Sequence, residues 1–151
     1  MNGLYVVAGA SGAIGKNLCQ RIVERGGTPL LVGRSIDKLQ KLNDEIHGKL
    51  PILSGIDFAE PEAAGKKLSA ELKGEKLSGV AYCVGSITIK SLRGCKAQDF
   101  LESYNVNVLG AVETIKASLQ GLKKSGEGSI VLFSSVAASN GLANRKFICP
   151  L

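Results

Sequence analysis

The chain has 151 residues, enough for one domain that buries roughly 70% of its unfolded surface with no disulfide or metal staple. Four prolines and 44% apolar residues exclude collagen-like and disordered classes, while 19 glycines stand well above the usual ~7% share. The net charge of +6 includes Lys66, Lys67, Lys73, Lys76, Lys123 and Lys124, which lie in helical segments with acids nearby; they read as solvated faces, not as a nucleic-acid surface.

In chain order, Leu4 to Ala8 is predicted as a buried strand. Ala13 to Arg25 follows as a helix, with Ile14, Leu18 and Ile22 on one face and Gly26-Gly27 as its stop. Thr28 to Val32 is a second strand. Ser35 caps a second helix that places Ile36, Leu39, Leu42 and Ile46 inward and stops at Gly48. Pro51 to Ile56 is a third strand, and Glu62 to Lys73 a helix with Ala64, Leu68 and Leu72 inward. Val80 to Val84 is a fourth strand, Ser86 to Gln98 is irregular, and Asp99 to Lys124 reads as one long helix. That helix carries Leu101, Val108, Val112, Ile115, Leu119 and Leu122. Ser129 to Phe133 is the fifth strand. Alternating strands and helices imply an α/β fold: a Rossmann-like, doubly wound parallel sheet of about five strands in a single domain over residues 1–151.

Several chemistries lack their residues. The sole histidine, His47, sits just before Gly48, where it suits the negative end of a helix better than a hydrolase triad. Cys19, Cys83, Cys95 and Cys149 form no C-x-x-C pair, so no metal site is expected. No G-x-S-x-G elbow occurs. The start lacks a signal-peptide pattern and no apolar run reaches the ~20 residues of a membrane span. With thiols that look unpaired, a cytoplasmic protein with no membrane partner is expected.

The segment Gly9-Ala10-Ser11-Gly12-Ala13-Ile14-Gly15 ends the first strand and opens the first helix. A dinucleotide fold holds pyrophosphate at this point. Gly9 permits a tight turn, Gly12 lets the backbone approach phosphate, and Gly15 lets helix and strand pack closely. A carboxylate at the end of the second strand would favour NAD; the chain has Gly33-Arg34-Ser35. A guanidinium offers a planar fork to a 2′-phosphate, so Arg34 points to NADP over NAD.

These residues resemble the short-chain dehydrogenase/reductase family from Leu4 to about Gly141. The loop with Gly9, Ser11, Gly12, Ile14 and Gly15 looks like the family's cofactor loop, although Ala13 stands at its usual middle glycine. Asp57-Phe58 resembles the Asp-apolar pair beside the adenine. Cys83-Val84-Gly85 stands where members carry Asn-Asn-Ala-Gly, and only Gly85 is retained. Asn107 resembles the asparagine supporting the family's proton relay. Ser135 resembles the catalytic serine, with Ser134 the less favoured choice. The resemblance implies hydride transfer between NADP(H) and a carbonyl or alcohol substrate, and a homodimer through helix 99–124.

The resemblance breaks at the tyrosine. The family uses Tyr-x-x-x-Lys, in which the lysine lowers the tyrosine pKa and the tyrosine exchanges a proton with the substrate oxygen. Ile148 stands at the tyrosine position. Tyr5, Tyr82 and Tyr104 are followed four residues later by Gly9, Ser86 and Val108. After Asn144 the chain departs from the pattern, and a helix and two strands of the family fold are missing. This reads as a truncated or frameshifted product of a reductase-like gene. Alternatives are a non-catalytic NADP-binding module and an inactive fragment. In the expected order 3-2-1-4-5, the apolar fifth strand would be an open edge.

Overall fold

The computed structural model describes residues 3–46, 48–135 and 147–148. In chain order its elements are β1 (Leu4–Ala8), α1 (Ala13–Glu24), β2 (Thr28–Val32), α2 (Ile36–Glu45), β3 (Ile52–Leu53), α3 (Pro61–Glu71), β4 (Leu77–Tyr82), β5 (Thr88–Ile89), α4 (Ala97–Tyr104), α5 (Gly110–Ser125), β6 (Ser129–Leu132) and β7 (Phe147–Ile148). Five strands form one parallel sheet in the order β3-β2-β1-β4-β6, the order expected from the sequence.

The strand pleat explains the two layers. Alternate residues point to opposite faces, so Val6 and Ala8 of β1 join Leu30 and Val32 of β2 on one side, while Val7 joins Leu31 on the other. The first side is covered by Ala64 and Leu68 of α3 and by Ala111 and Leu122 of α5. The second is covered by Cys19 of α1 and by Leu39 and Leu42 of α2. Burial on both faces is why these strands are continuous apolar runs.

Helix starts and stops follow the sequence signals. The Ser35 hydroxyl accepts from the Lys38 N–H at 3.4 Å, capping α2. Gly26 takes φ +77° just past α1, a left-handed stop that a β-carbon would strain.

Four expectations need correction. The fourth strand runs over Leu77–Tyr82, so Cys83, Val84 and Gly85 lie beyond it. The third strand is only two residues long, because Gly55 turns the chain with φ +68°. The irregular stretch after Ser86 contains β5, paired antiparallel with β7, and a 3-10 turn at Leu92–Gly94. The single helix over 99–124 is instead α4, a π turn at Asn105–Leu109, and α5.

The predicted inward faces also shift. The buried side of α5 is Gly110, Ala111, Thr114, Ser118, Gly121 and Leu122, while Val112 and Leu119 are exposed, as is Leu101 of α4. On α1, Gly15 and Cys19 are buried, with Leu18 and Ile22 packed beside them, but Ile14 is 51% exposed. Ile36 is likewise exposed at the start of α2. His47, Cys149 and residues 141–144 lie outside the described residues.

β6 ends the sheet, and Ile130, Val131, Leu132 and Phe133 are all exposed. An apolar edge of this kind templates pairing with another chain. Val131→Lys is therefore expected to reduce concentration-dependent self-association, read by light scattering at increasing protein concentration; unchanged scattering would clear the edge of that role.

Candidate functional site

The carboxyl ends of β1, β2 and β4 open onto one cleft. The turn after β1 is tied down by the Gly9 and Ala10 N–H groups, which donate to the Val32 carbonyl at 2.9 and 3.1 Å. Gly9 sits at φ +77°, and a β-carbon there would lie 2.9 Å from the Cys83 carbonyl oxygen. A β-carbon on Gly15 would lie 2.3 Å from the Gly9 oxygen. At Gly12 the same test gives 3.3 Å to that oxygen, which a small shift would relieve. Gly9 thus lets the turn approach the segment after β4, and Gly15 lets the helix touch the turn. Gly12 begins α1 as its N-cap, with no side-chain cap and no acid in the first turn. The positive end of the helix is left without a neutralising carboxylate.

The cleft has two halves. The first, about 550 Å³, is lined by Gly9, Ser11, Gly12, Gly33, Arg34, Ser35, Lys38, Ile56 and Phe58. The second, about 650 Å³, is lined by Ala13, Ile14, Tyr82, Ile87, Asn107, Val108, Leu132, Phe133, Ser134 and Ser135, among others. Cys83, Val84 and Gly85 line both.

Of the residues singled out from the sequence, Gly9, Ser11, Gly12, Arg34, Phe58 and Gly85 meet in the first half. Ile14, Asn107, Ser135 and again Gly85 meet in the second. Gly15 acts from behind, in the packing of α1 on the turn. Asp57 is exposed and does not line the cleft; its carboxylate accepts from the Ala59 N–H at 3.0 Å. Phe58 packs edge-to-face on Tyr82 with ring centroids 5.2 Å apart.

Sequence reading missed Lys38 and Tyr82. Lys38 lies one helical turn beyond Arg34, a spacing that could have revealed it once Ser35 was read as the cap. Arg34 is itself held by the Gly55 N–H, which donates to its carbonyl at 3.1 Å. The Asn107 side chain clamps the end of the β4 loop. Its Oδ1 accepts from the Ser86 N–H at 2.8 Å, and its Nδ2 donates to the Ser86 carbonyl at 2.9 Å and to Ser103 Oγ at 3.1 Å.

Two thiols lie under the turn. Burial, followed by the nearby Cys83, pushes Cys19 up to about 12, and burial pushes Cys83 up to about 11. Folding therefore favours the neutral Cys19 thiol; that contribution is present below the ordinary 9.0 and is lost as pH rises towards 12. Cys83 alkylation by iodoacetamide should be slow at neutral pH and should rise about tenfold per pH unit until the thiol titrates. Mass-mapped labelling at several pH values checks this, and a rate flat above pH 9 would contradict the buried environment. Among the described residues no group of three or more His, Cys, Asp or Glu side chains could hold a metal, and no helix is long and apolar enough to cross a membrane.

Helices on both faces of a parallel sheet, with a cleft at the strands' carboxyl ends, define a Rossmann-type α/β domain. The family model for short chain dehydrogenase matches residues 4–147, and the chain belongs to that family. An uncharacterized oxidoreductase of Listeria monocytogenes is 26% identical over 140 residues, covering 90% of this chain and 56% of the relative. Carbonyl reductase family member 4 of Danio rerio is 26% identical over 148 residues, covering 96% and 61%. Among solved structures, a short-chain type dehydrogenase/reductase from Mycobacterium ulcerans superposes with TM-score 0.81 at 26% identity, over 93% of this chain and 54% of that one. L-sorbose reductase from Gluconobacter frateurii, complexed with NADPH and L-sorbose, superposes with TM-score 0.85 at 18% identity, over 95% and 56%. The chain thus spans little more than half the length of these relatives.

Proposed function

We propose that the chain is the cofactor-holding part of an NADP-preferring short-chain oxidoreductase, whose parent activity is hydride transfer between NADP(H) and a carbonyl or alcohol substrate. One observation carries the reading: the glycine turn and two cations, Arg34 and Lys38, line the same half-cleft. The glycine positions suit a dinucleotide: β-carbons at Gly9 and Gly15 would push the turn off the end of β4 and α1 off the turn, while Gly12 lines the half-cleft with only the Gly9 oxygen, at 3.3 Å, near its missing β-carbon. In this reading Gly9, Ser11, Gly12 and the start of α1 hold the pyrophosphate, with Gly15 keeping that helix against the turn. Arg34 and Lys38 hold the 2′-phosphate. Phe58 borders the adenine side, with Asp57 beside it. Ile14 and Gly85 border the nicotinamide side. Bound NADP(H) supplies or accepts the hydride.

In the same reading Ser135 holds the substrate oxygen, and Asn107 keeps the wall of the second half in place through Ser86. The proton exchange has no carrier among these residues, because no tyrosine in the chain stands four before a lysine. Turnover by the 151 residues alone is therefore impaired. That same absence favours a second reading, a non-catalytic NADP-binding module or an inactive fragment. The exposed Leu101, Val112 and Leu119 support a homodimer through α4 and α5. A cytoplasmic setting goes with this reading.

A thermal melt with NADPH, NADH and neither tests the assignment. At a hundred times its dissociation constant NADPH adds about 2.7 kcal/mol, roughly 5–10 °C for a chain of this size. Equal shifts with both nucleotides would remove the NADP preference, and no shift with either would remove the cofactor reading. A carbonyl-reduction assay on the same sample separates the alternatives: ordinary turnover would overturn the impairment.

A further inference from the structure

We propose that Tyr82 is a positioning residue: its hydroxyl holds the π turn at Asn105–Leu109 open, and so keeps Asn107 aimed at the cleft wall. The hydrogen bonds of the turn carry the inference. In an α-helix the Gly110 N–H would donate four residues back, to Val106. Here it donates five back, to the Asn105 carbonyl. The Val106 carbonyl accepts instead from the Tyr82 hydroxyl, which reaches across from the end of β4. One donor has been exchanged for another, and the second belongs to the sheet.

Room for that hydroxyl comes from Gly110. A β-carbon at Gly110 would lie 2.2 Å from the Tyr82 oxygen, so the phenol and the missing side chain are complementary. Phe58 fixes the ring from the other side, edge-on at 5.2 Å. Burial pushes the phenol above its ordinary value, so it stays a donor at any working pH.

The consequence falls on Asn107, in the middle of the turn. Returning the helix to α register would move it by one residue, a rotation of about 100°. The Asn107 amide would then leave Ser86, whose N–H and carbonyl it holds at 2.8 and 2.9 Å. Ser86 and Gly85 line the second half of the cleft, so the wall facing the nicotinamide side would loosen.

The binding arm of the test rests on the cofactor reading above; the exchange arm does not. Tyr82→Phe removes one oxygen and keeps the ring. It should speed hydrogen exchange at the Ser86 N–H by about tenfold and shift the Asn107 side-chain amide signals. It should also weaken NADPH binding by about tenfold. Gly110→Ala should destabilise the parent chain more than the Tyr82→Phe chain: the oxygen at 2.2 Å is gone there, and only Phe58 Cβ at 3.1 Å and the ring Cζ at 3.2 Å still press on the added methyl. The double variant should therefore melt higher than the sum of the two single losses requires, while Ser86 exchange stays fast. It also serves if Tyr82→Phe alone folds poorly. Parent-like Ser86 exchange in Tyr82→Phe would overturn the proposal. So would a double variant that restores stability and slow exchange together, because the pair would then be packing alone. If NADPH fails to bind the parent chain, the cofactor reading falls, and Ser86 exchange still decides the role of Tyr82.

Discussion

Gly15→Ala is expected to cost the fold at least 1–3 kcal/mol and to abolish dinucleotide binding. The added methyl would lie 2.3 Å from the Gly9 carbonyl oxygen, 2.8 Å from Ala10 Cα and 2.9 Å from the Gly9 carbonyl carbon. All three are backbone atoms of a turn already anchored to Val32, so none can rotate away. The helix α1 must retreat, taking with it the N–H groups that face the cleft and the buried Cys19 beneath them. Gly12→Ala is the informative control. Its methyl would meet only the Gly9 oxygen, at 3.3 Å, so the loss of stability should be about 1 kcal/mol, the cost of alanine for glycine at an N-cap, and below that of Gly15→Ala. Binding should still suffer, because the methyl occupies the space a phosphate would approach. Urea melts and NADPH titrations of both variants check the pair. A Gly15→Ala chain that melts like the parent would show that the close contact between helix and turn is not needed.

Arg34→Glu is expected to weaken NADPH by about 100-fold and to leave NADH equal or tighter. A charge-assisted hydrogen bond to phosphate contributes about 1.5–3 kcal/mol, and the introduced carboxylate adds repulsion. The same carboxylate can accept from ribose hydroxyls, which is the NAD solution at this position. Lys38→Ala should lose several-fold for NADPH only, since Lys38 lines the cleft beside Ser35. Both cations are exposed, so the discrimination should shrink as salt is raised past a Debye length of about 8 Å. Fluorescence titration with the two reduced nucleotides at low and high salt measures this. An unchanged NADPH-to-NADH ratio in Arg34→Glu would remove Arg34 from the phosphate site.

The sequence made the sheet legible where one local rule acted alone. β1 and β2 are apolar runs bounded by glycine or polar residues, and their limits are as read. Ser35 announces α2, and the glycine spacing announces the turn. Legibility failed where packing selects small residues over apolar ones. On α5, Ala111, Thr114 and Ser118 face inward because α5 lies close against α3 and β4. Thr114 and Ser118 can be buried because their hydroxyls donate to the Gly110 and Thr114 carbonyls at 2.7 and 2.8 Å. Hydropathy ranks Val112 and Leu119 above them and so selects the wrong face. The π turn adds a second reason. One extra residue at Asn105–Leu109 changes the phase between α4 and α5, so no single helical period fits 99–124. Lys38 escaped because an exposed lysine on a helix carries little signal by itself; only its four-residue spacing from Arg34, taken with Ser35 as the cap, pointed to the same side.

The central place of β1 also sets the order in which the chain can fold. Leu4 pairs with Thr28 on one side and with Leu77 on the other. The second closure spans about three times as much chain as the first and costs about 1 kcal/mol more in loop entropy. β1, α1 and β2 can therefore assemble while the rest of the polypeptide is still emerging from the ribosome. β1 then waits, with one side open, for β4. If the shorter closure forms first, the β4 side of β1 is the sheet edge left bare until the longer closure is made, and that interval is where a chaperone would have most to protect.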